Sequence, residues 1–370
     1  MGRKNFSFPI TTLIGSNLSN FIKICRRHHI SALFYPRLVL SFLGAAFLEP
    51  FNLLEKLILQ KKLKNNRIEE PPVFIIGFWR SGTTLLHELL CKDPRAGYCS
   101  TFQVVFPNVA VTQAFWLKII SSFGLPEKRP LDGVFWTMDS PQEEEFAMVN
   151  LQSCSLYNFL LFPSDWDQIL KEEFFTKNLS PDLLSTWKKK YLYLVNKAML
   201  ITGGRRYISK NPCHLGRLDL LRSMFPGARF IFIYRNPYHV VESSYHFFLS
   251  VFPGIRLQNL KPGFSRKDII NLYCSAIRNY FKVRLSIPAR DLIEIRMEDF
   301  ICDQLGTMKM IYDKFGLDSF EETRPFLENC MQVNDQQSIK KYDISPETCD
   351  LVNEFAGDIL MELNYEKKGQ

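Results

Sequence analysis

Val73-Phe74-Ile75-Ile76-Gly77-Phe78-Trp79-Arg80-Ser81-Gly82-Thr83-Thr84-Leu85-Leu86 decides how this chain is read. The apolar run after Pro71-Pro72 forms a strand, and Gly77 and Gly82 bracket a turn. Leucines at 85, 86, 89 and 90 then lay an apolar stripe on one side of a helix. Strand, glycine-bounded loop and helix make a phosphate cradle. The glycines let the backbone approach an anion, and the first N–H groups of the helix point at it. The spacing is Gly-x-x-x-x-Gly, as in nucleoside triphosphatases, but Thr83 stands where those loops carry lysine. The strong cation is inside the loop, at Arg80, and the Thr83 and Thr84 hydroxyls follow the second glycine. A phosphate-like group suits such a loop; ordinary ATP hydrolysis does not. Gly-Thr-Thr alone would also serve as a plain helix cap, but Arg80 and Ser81 in the same run favour the anion site.

Downstream, strands and helices alternate. Arg206 to Lys210, Ala228 to Tyr234 and Leu292 to Arg296 read as strands, with a short one near Gly97 to Thr101. Ser180 caps a helix that starts at Pro181 and stops at Gly203-Gly204. Further helices are expected over Cys213 to Phe225, from Pro237 to about Ser250, and over Arg266 to Ile287, Leu305 to Phe315, Glu321 to Met331 and Pro346 to Leu363. Ala228 to Tyr234 is apolar on both faces except at Arg229, as a central parallel strand should be. The fold class is α/β: a P-loop-like, three-layer fold with a central parallel sheet flanked by helices.

Before the loop the chain has a different character. Residues 1–70 read as a helical N-terminal extension, and residues 71–370 as the main domain. The most apolar run, Leu38 to Leu48, lies between Arg37 and Glu49. As a helix it is roughly 16 Å long, against about 30 Å of hydrocarbon in a bilayer. It is too short to span unless Arg37, Glu49 and Pro50 are drawn in. Packing on the main domain is the first reading. Peripheral contact of the 30–64 segment with a membrane, helped by Arg26-Arg27 and Lys61-Lys62-Leu63-Lys64, is the second. Between about 100 and 180 periodicity is poor and aromatics are frequent, which fits either a substrate-covering region or helical core packing.

The whole chain of 370 residues is 46% apolar and 23% charged, ordinary for a globular protein. Its 32 phenylalanines leave room for an apolar substrate pocket. The formal charge of +8 suits an anionic ligand or lipid surface, and no zinc-finger spacing or basic tail points to nucleic acid. Nine dispersed cysteines without a Cys-x-x-Cys pair read as reduced thiols, and no cleavable signal opens the chain. Both favour the cytoplasm, at or away from a membrane surface. The six scattered histidines form no metal site.

Ala228 to Ser244 repeats the logic of the opening stretch: a buried strand ends at Arg235, Asn236-Pro237 starts a helix, and Ser243 lies about two turns in. Two anion sites on one parallel sheet call for a ligand with two separated anionic groups. These motifs resemble the sulfotransferases that use 3′-phosphoadenosine 5′-phosphosulfate (PAPS), in the bacterial-type branch that is distantly like protein-tyrosine sulfotransferases. In that family a loop of the form Pro-Arg-Ser-Gly-Thr-Thr binds the 5′-phosphosulfate, and an Arg with a Ser eight residues on binds the 3′-phosphate. Arg80, Ser81, Gly82, Thr83 and Thr84 match the first motif, and Arg235 and Ser243 the second. Trp79 departs from the family's usual proline. Lys210-Asn211-Pro212-Cys213-His214-Leu215 and Arg296-Met297-Glu298-Asp299-Phe300 look like further family segments, and Lys340-Lys341-Tyr342 like a late basic segment that closes over the nucleotide.

The resemblance implies sulfuryl transfer from PAPS to a hydroxyl of an unidentified acceptor, with no metal. Arg80 and the loop would hold the phosphosulfate, Lys210 would stabilise the bridging oxygen, and Lys341 would contact the nucleotide. The acceptor's base would come from Ser140-Pro141-Gln142-Glu143-Glu144-Glu145-Phe146. Glu143 is the first choice and Glu144 the second; a solvated helix start is the structural alternative. His214 is a rival base, and His87 reads as a surface residue. Lipid, small-molecule and carbohydrate acceptors are all compatible with the aromatic content. Two other functions stay open at this point: a P-loop nucleotide or small-molecule kinase, and a non-catalytic, membrane-associated binding protein.

Overall fold

The computed structural model describes residues 9–65, 68–122, 137–334 and 342–369. Its sheet has five parallel strands: β1 (Glu70–Ile76), β2 (Ala96–Gly97), β3 (Arg206–Lys210), β4 (Arg229–Tyr234) and β5 (Leu292–Arg296), in the spatial order β2-β3-β1-β4-β5. Val73 is in register with Arg229 and Ile76 with Phe232, and across the next pair Tyr234 faces Arg296. Val73 to Ile76 and Phe230 to Ile233 are fully buried, so their continuous apolar runs satisfy helices on both sides of the sheet. Phe74 stacks on Phe230, and Phe232 on Tyr280 of the helix Arg266–Arg284. Because β3, β1 and β4 are neighbours and parallel, the segments that follow them leave the same edge of the sheet.

Compactness divides the chain into two units. One gathers Met1–Glu70, Gly97–Tyr207 and Leu249–Pro262, and the other gathers Pro71–Ala96, Ile208–Phe248 and Gly263–Gln370. The first 70 residues thus group with two later segments, whereas the sequence reading set 1–70 apart from 71–370.

In the first unit the dominant element is one helix, Tyr35–Asn65, with Pro50 inside it. The sequence suggested a shorter apolar helix ending near Glu49-Pro50. Packing overrides that stop. Ser41, Ala45, Leu48, Asn52, Glu55 and Leu59 are all buried, at spacings of three and four, so one face stays anchored on both sides of the proline. Glu55 accepts from the Val111 N–H at 3.0 Å and the Thr112 N–H at 2.7 Å, and pairs with Lys197 of the helix Pro181–Thr202. Most described aromatics of the 100–180 region, including Phe102, Phe159, Phe162 and Trp166, are core.

Three smaller expectations also change. The strand near Gly97 to Thr101 shrinks to Ala96–Gly97, because Ser100 caps a helix from Thr101. Cys213 to Phe225 splits into a 3-10 turn Pro212–Gly216, capped by Asn211, and a helix Leu218–Met224. Pro346 to Leu363 breaks at Ala356 into two helices, Pro346–Phe355 and Gly357–Glu362.

Candidate active site

β1 ends at Ile76, and the backbone turns at once. A side chain at Gly77 would come within 2.5 Å of the Ile233 carbonyl oxygen, so only glycine lets β1 and β4 stay this close where the loop leaves. Arg80 has φ +66° and Gly82 φ +93°, both left-handed. For Gly82 that is free; for Arg80 it costs about 1–2 kcal/mol, and such strain concentrates where function over-determines the backbone. Gly82 cannot cap the helix Thr83–Leu90 with a side chain, which leaves the first-turn N–H groups for another acceptor. Met297 lies against it: a Cβ at Gly82 would be 2.0 Å from the Met297 sulfur.

The shared sheet edge brings the two arginine motifs together. Arg80 Nε donates to Ser243 Oγ at 3.0 Å, and the Arg80 guanidinium lies 5.9 Å from the Phe247 ring centre. Burial pushes the Arg235 pKa down, Glu298 pushes it back up, and the Arg80 cation lowers it again. Two guanidinium groups that feel each other's charge are a natural seat for a multiply charged anion. Asn236 accepts from the Tyr238 N–H at 3.1 Å and so caps the helix Pro237–Ile255, which carries Ser243. The Asn236 N–H donates to Glu298 at 3.2 Å, and Tyr365 donates to the same carboxylate at 2.8 Å. Glu298 therefore braces the second motif; its place in the Arg-Met-Glu-Asp-Phe segment was visible in the sequence, but its task was not.

Lys210 ends β3, is buried, and reaches Thr84 Oγ1 at 3.5 Å. One cation thus stands on the β3 side of the loop and another on the β4 side. His214 is fully buried, 3.2 Å from Ser209 Oγ and edge-on to Phe74. His87 is buried as well, contrary to its reading as a surface residue, because it lies on the inner face of the short loop helix with Leu86, Leu89 and Leu90.

Trp79 is core. It packs edge-on to Phe78 and Phe248, and its carbonyl accepts from Ser244 Oγ at 3.1 Å, so the indole fixes the loop from beneath. Lys341 lies outside the described residues; its neighbour Tyr342 stacks on His246 with ring centres 4.7 Å apart.

In the first unit the acidic run separates into three roles. Glu144 is 1% exposed and accepts from Tyr191 at 2.9 Å. Glu145 is 0% exposed and accepts from Ser155 Oγ at 2.7 Å and the Leu156 N–H at 3.1 Å. Glu143, half-buried, accepts the Tyr157 hydroxyl. The solvated helix start is therefore not what forms here. Two carboxylates are built into the packing, and Glu143 is the more accessible of the three.

The sulfotransferase family model matches residues 71–322, from the start of the phosphate-loop strand to beyond β5. The chain belongs to the sulfotransferase family. It is 28% identical over 315 residues to omega-hydroxy-beta-dihydromenaquinone-9 sulfotransferase Stf3 of Mycobacterium tuberculosis, covering 85% of this chain and 80% of that protein. The Mycobacterium bovis Stf3 matches equally. The structure is similar to that of sulfotransferase STF9 from Mycobacterium avium, with a TM-score of 0.69 at 16% identity over 96% of this chain and 98% of that one. STF1 from M. tuberculosis H37Rv follows at a TM-score of 0.54 and 18% identity, over 92% and 91% of the two chains. The protein is thus a sulfotransferase enzyme, and its P-loop-like fold serves sulfuryl transfer. The kinase and the non-catalytic readings give way to it.

Proposed function

We propose that this sulfotransferase takes its sulfuryl group from PAPS and passes it to a hydroxyl of an apolar small molecule or lipid. The observation that carries the donor assignment is the meeting of Arg80, Ser243 and Arg235 at one edge of the sheet, with Arg80 Nε 3.0 Å from Ser243 Oγ. PAPS offers two anionic ends on one nucleotide, and the two motifs offer a matching pair of cationic loops. Arg80, Ser81, Gly82, Thr83 and Thr84 hold the phosphosulfate end. Arg235 and Ser243 hold the 3′-phosphate, with Lys341 closing on the nucleotide.

Glu143 takes the proton of the acceptor hydroxyl as its oxygen bonds to sulfur. The bond from sulfur to the bridging oxygen breaks, and Lys210 neutralises the charge left on that oxygen. Positioning and electrostatic stabilisation supply the rate, as in phosphoryl transfer. Residues 71–370 carry this chemistry, and residues 1–70 form a membrane-peripheral extension on the cytoplasmic side. The sequence kinship to a protein named for sulfation of a menaquinone derivative supports a lipid-like acceptor.

Calorimetry with adenosine 3′,5′-bisphosphate tests the donor site. Arg80→Ala and Arg235→Ala should each weaken binding by at least about tenfold, the equivalent of one charged hydrogen bond. Unchanged affinity in both would sink the assignment. Labelled PAPS with a panel of apolar alcohols tests the base: Glu143→Gln should bind the bisphosphate normally and turn over no acceptor. Full turnover would move the role to Glu144 or His214.

A further inference from the structure

The helix Tyr35–Asn65 has two faces of opposite design. Its inner face is bonded into protein along its length. Ser41 accepts from the Thr11 N–H at 2.8 Å, Glu49 from the Leu18 N–H at 3.0 Å, and Glu55 is held by Val111, Thr112 and Lys197. Its outer face is apolar and open. Val39, Leu43, Phe47, Leu54, Leu57 and Ile58 recur at helical spacing and are all exposed, Phe47 by 62% and Leu57 by 70%. The helix Ala114–Ser122 extends this surface. Its Trp116 packs edge-on to Phe47 and Phe51, while Phe115 is 84% exposed.

A contiguous apolar surface of this size calls for an occupant. Cations on its flank say which. Lys56 sits three residues after Leu53 on the same side of the helix. It is close enough to Lys190 of the helix Pro181–Thr202, together with Lys23 of the helix Leu18–Arg27, for both to lower the Lys190 pKa after burial has done so. Three cations gathered at the flank of an apolar stripe match an anionic surface.

We infer that Tyr35–Asn65 and Ala114–Ser122 form a one-sided docking surface for an anionic phospholipid bilayer. The long helix lies in the plane of the headgroups, its apolar stripe enters the acyl boundary, and Lys23, Lys56 and Lys190 meet the lipid phosphates. By length and composition alone the segment Ala32–Gln60 could cross a membrane. Its inner face nevertheless carries Ser41 and Glu55 bonded to other segments of the chain, so lipid cannot surround it. This contact rests on the membrane-peripheral reading of residues 1–70 proposed above and does not depend on the donor assignment.

Flotation of the full chain with vesicles decides it. The native protein should float with phosphatidylcholine–phosphatidylglycerol vesicles, less with phosphatidylcholine alone, and be released by high salt. Leu43→Glu, Leu57→Glu and Phe115→Glu together should cut vesicle binding by about tenfold or more. Bisphosphate affinity and melting temperature should stay unchanged, which separates a lost membrane contact from a lost fold or a wrong donor. Lys23→Glu with Lys56→Glu should abolish the preference for the anionic vesicles. The inference is overturned if the native chain floats with neither vesicle, or if the apolar variant floats as well as the native one. Retention of the native chain through high salt and alkaline wash would overturn the in-plane placement in favour of a span. Sedimentation showing a dimer that the apolar variant dissolves, without vesicle binding, would assign the surface to a second copy instead.

Discussion

The two arginine loops leave adjacent parallel strands at the same edge of the sheet, yet they are held by different means. The loop after β1 is fixed by backbone that few residues tolerate. Arg80 and Gly82 both have positive φ, Gly77 abuts the Ile233 carbonyl, and Met297 fills the space beside Gly82. The loop after β4 is fixed by ordinary devices: Asn236 caps a helix, Pro237 begins it, and Glu298 takes the Asn236 N–H. A loop that wraps an anion with its own backbone must sacrifice regular geometry. A loop that presents side chains from a helix can stay regular. The first should be brittle to substitution, and the second forgiving.

Gly82→Ala should give the largest effect. A left-handed alanine costs about 1–2 kcal/mol, and overpacking against Met297 adds about 1–3 kcal/mol. Thermal or urea unfolding should register the loss. Adding Met297→Ala should restore the packing part and leave the backbone part, so a double-mutant cycle divides them.

Arg80 separates strain from charge within one residue. Arg80→Gly should relieve the left-handed backbone and raise stability by about 1 kcal/mol. It should still weaken adenosine 3′,5′-bisphosphate as Arg80→Ala does, by about 1.5–3 kcal/mol. A glycine variant no more stable than the alanine one would show that φ +66° at Arg80 carries no strain. In the second loop Asn236→Ala removes only a cap, and unfolding should show about 1 kcal/mol. A loss as large as that of Gly82→Ala would erase the contrast between the loops.

The smallest effect concerns acid. Glu242 adjoins Ser243. Burial raises its pKa, but hydrogen bonds from Arg266, Thr348 and Ser345 outweigh burial and hold it down at about 2. An unfolded carboxyl of this type titrates near about 4.3. The stability from this cluster is therefore fully present above that value and disappears as pH falls through about 2. Melting temperature should drop over that window, and Glu242→Gln should flatten the drop. Equal slopes in the two proteins would place the acid sensitivity elsewhere.

The contrast between the loops also marks what a sequence reveals. Gly77, Arg80, Gly82 and the Arg235–Ser243 spacing were legible because loops that bind anions need particular residues at particular offsets. The strands were legible because β1 is apolar from Val73 to Ile76 and β4 from Phe230 to Ile233. The first unit was harder. Its aromatics pack short, irregular helices that have no period to read, and the apolar run stood out only from Leu38 to Leu48, whereas a buried stripe from Ser41 to Leu59 carries the helix past Pro50. The separate tasks of Glu143, Glu144 and Glu145 depend on Tyr157, Tyr191 and Ser155, which lie 14, 47 and 10 residues away in the chain. Contacts at such separations leave no local signal. The brace from Glu298 to Asn236 was hidden for the same reason.

The interleaving of the two compact units sets an order of events on the ribosome. The chain passes from one unit to the other at Glu70–Pro71, and again at Ala96–Gly97, Tyr207–Ile208, Phe248–Leu249 and Pro262–Gly263. β1 emerges early, but Val73 pairs in register with Arg229. At bacterial or eukaryotic elongation rates that partner arrives on the order of ten seconds later. During that interval the apolar run Val73 to Ile76 is exposed with its β4-facing edge unpaired, which is the kind of segment that chaperones bind.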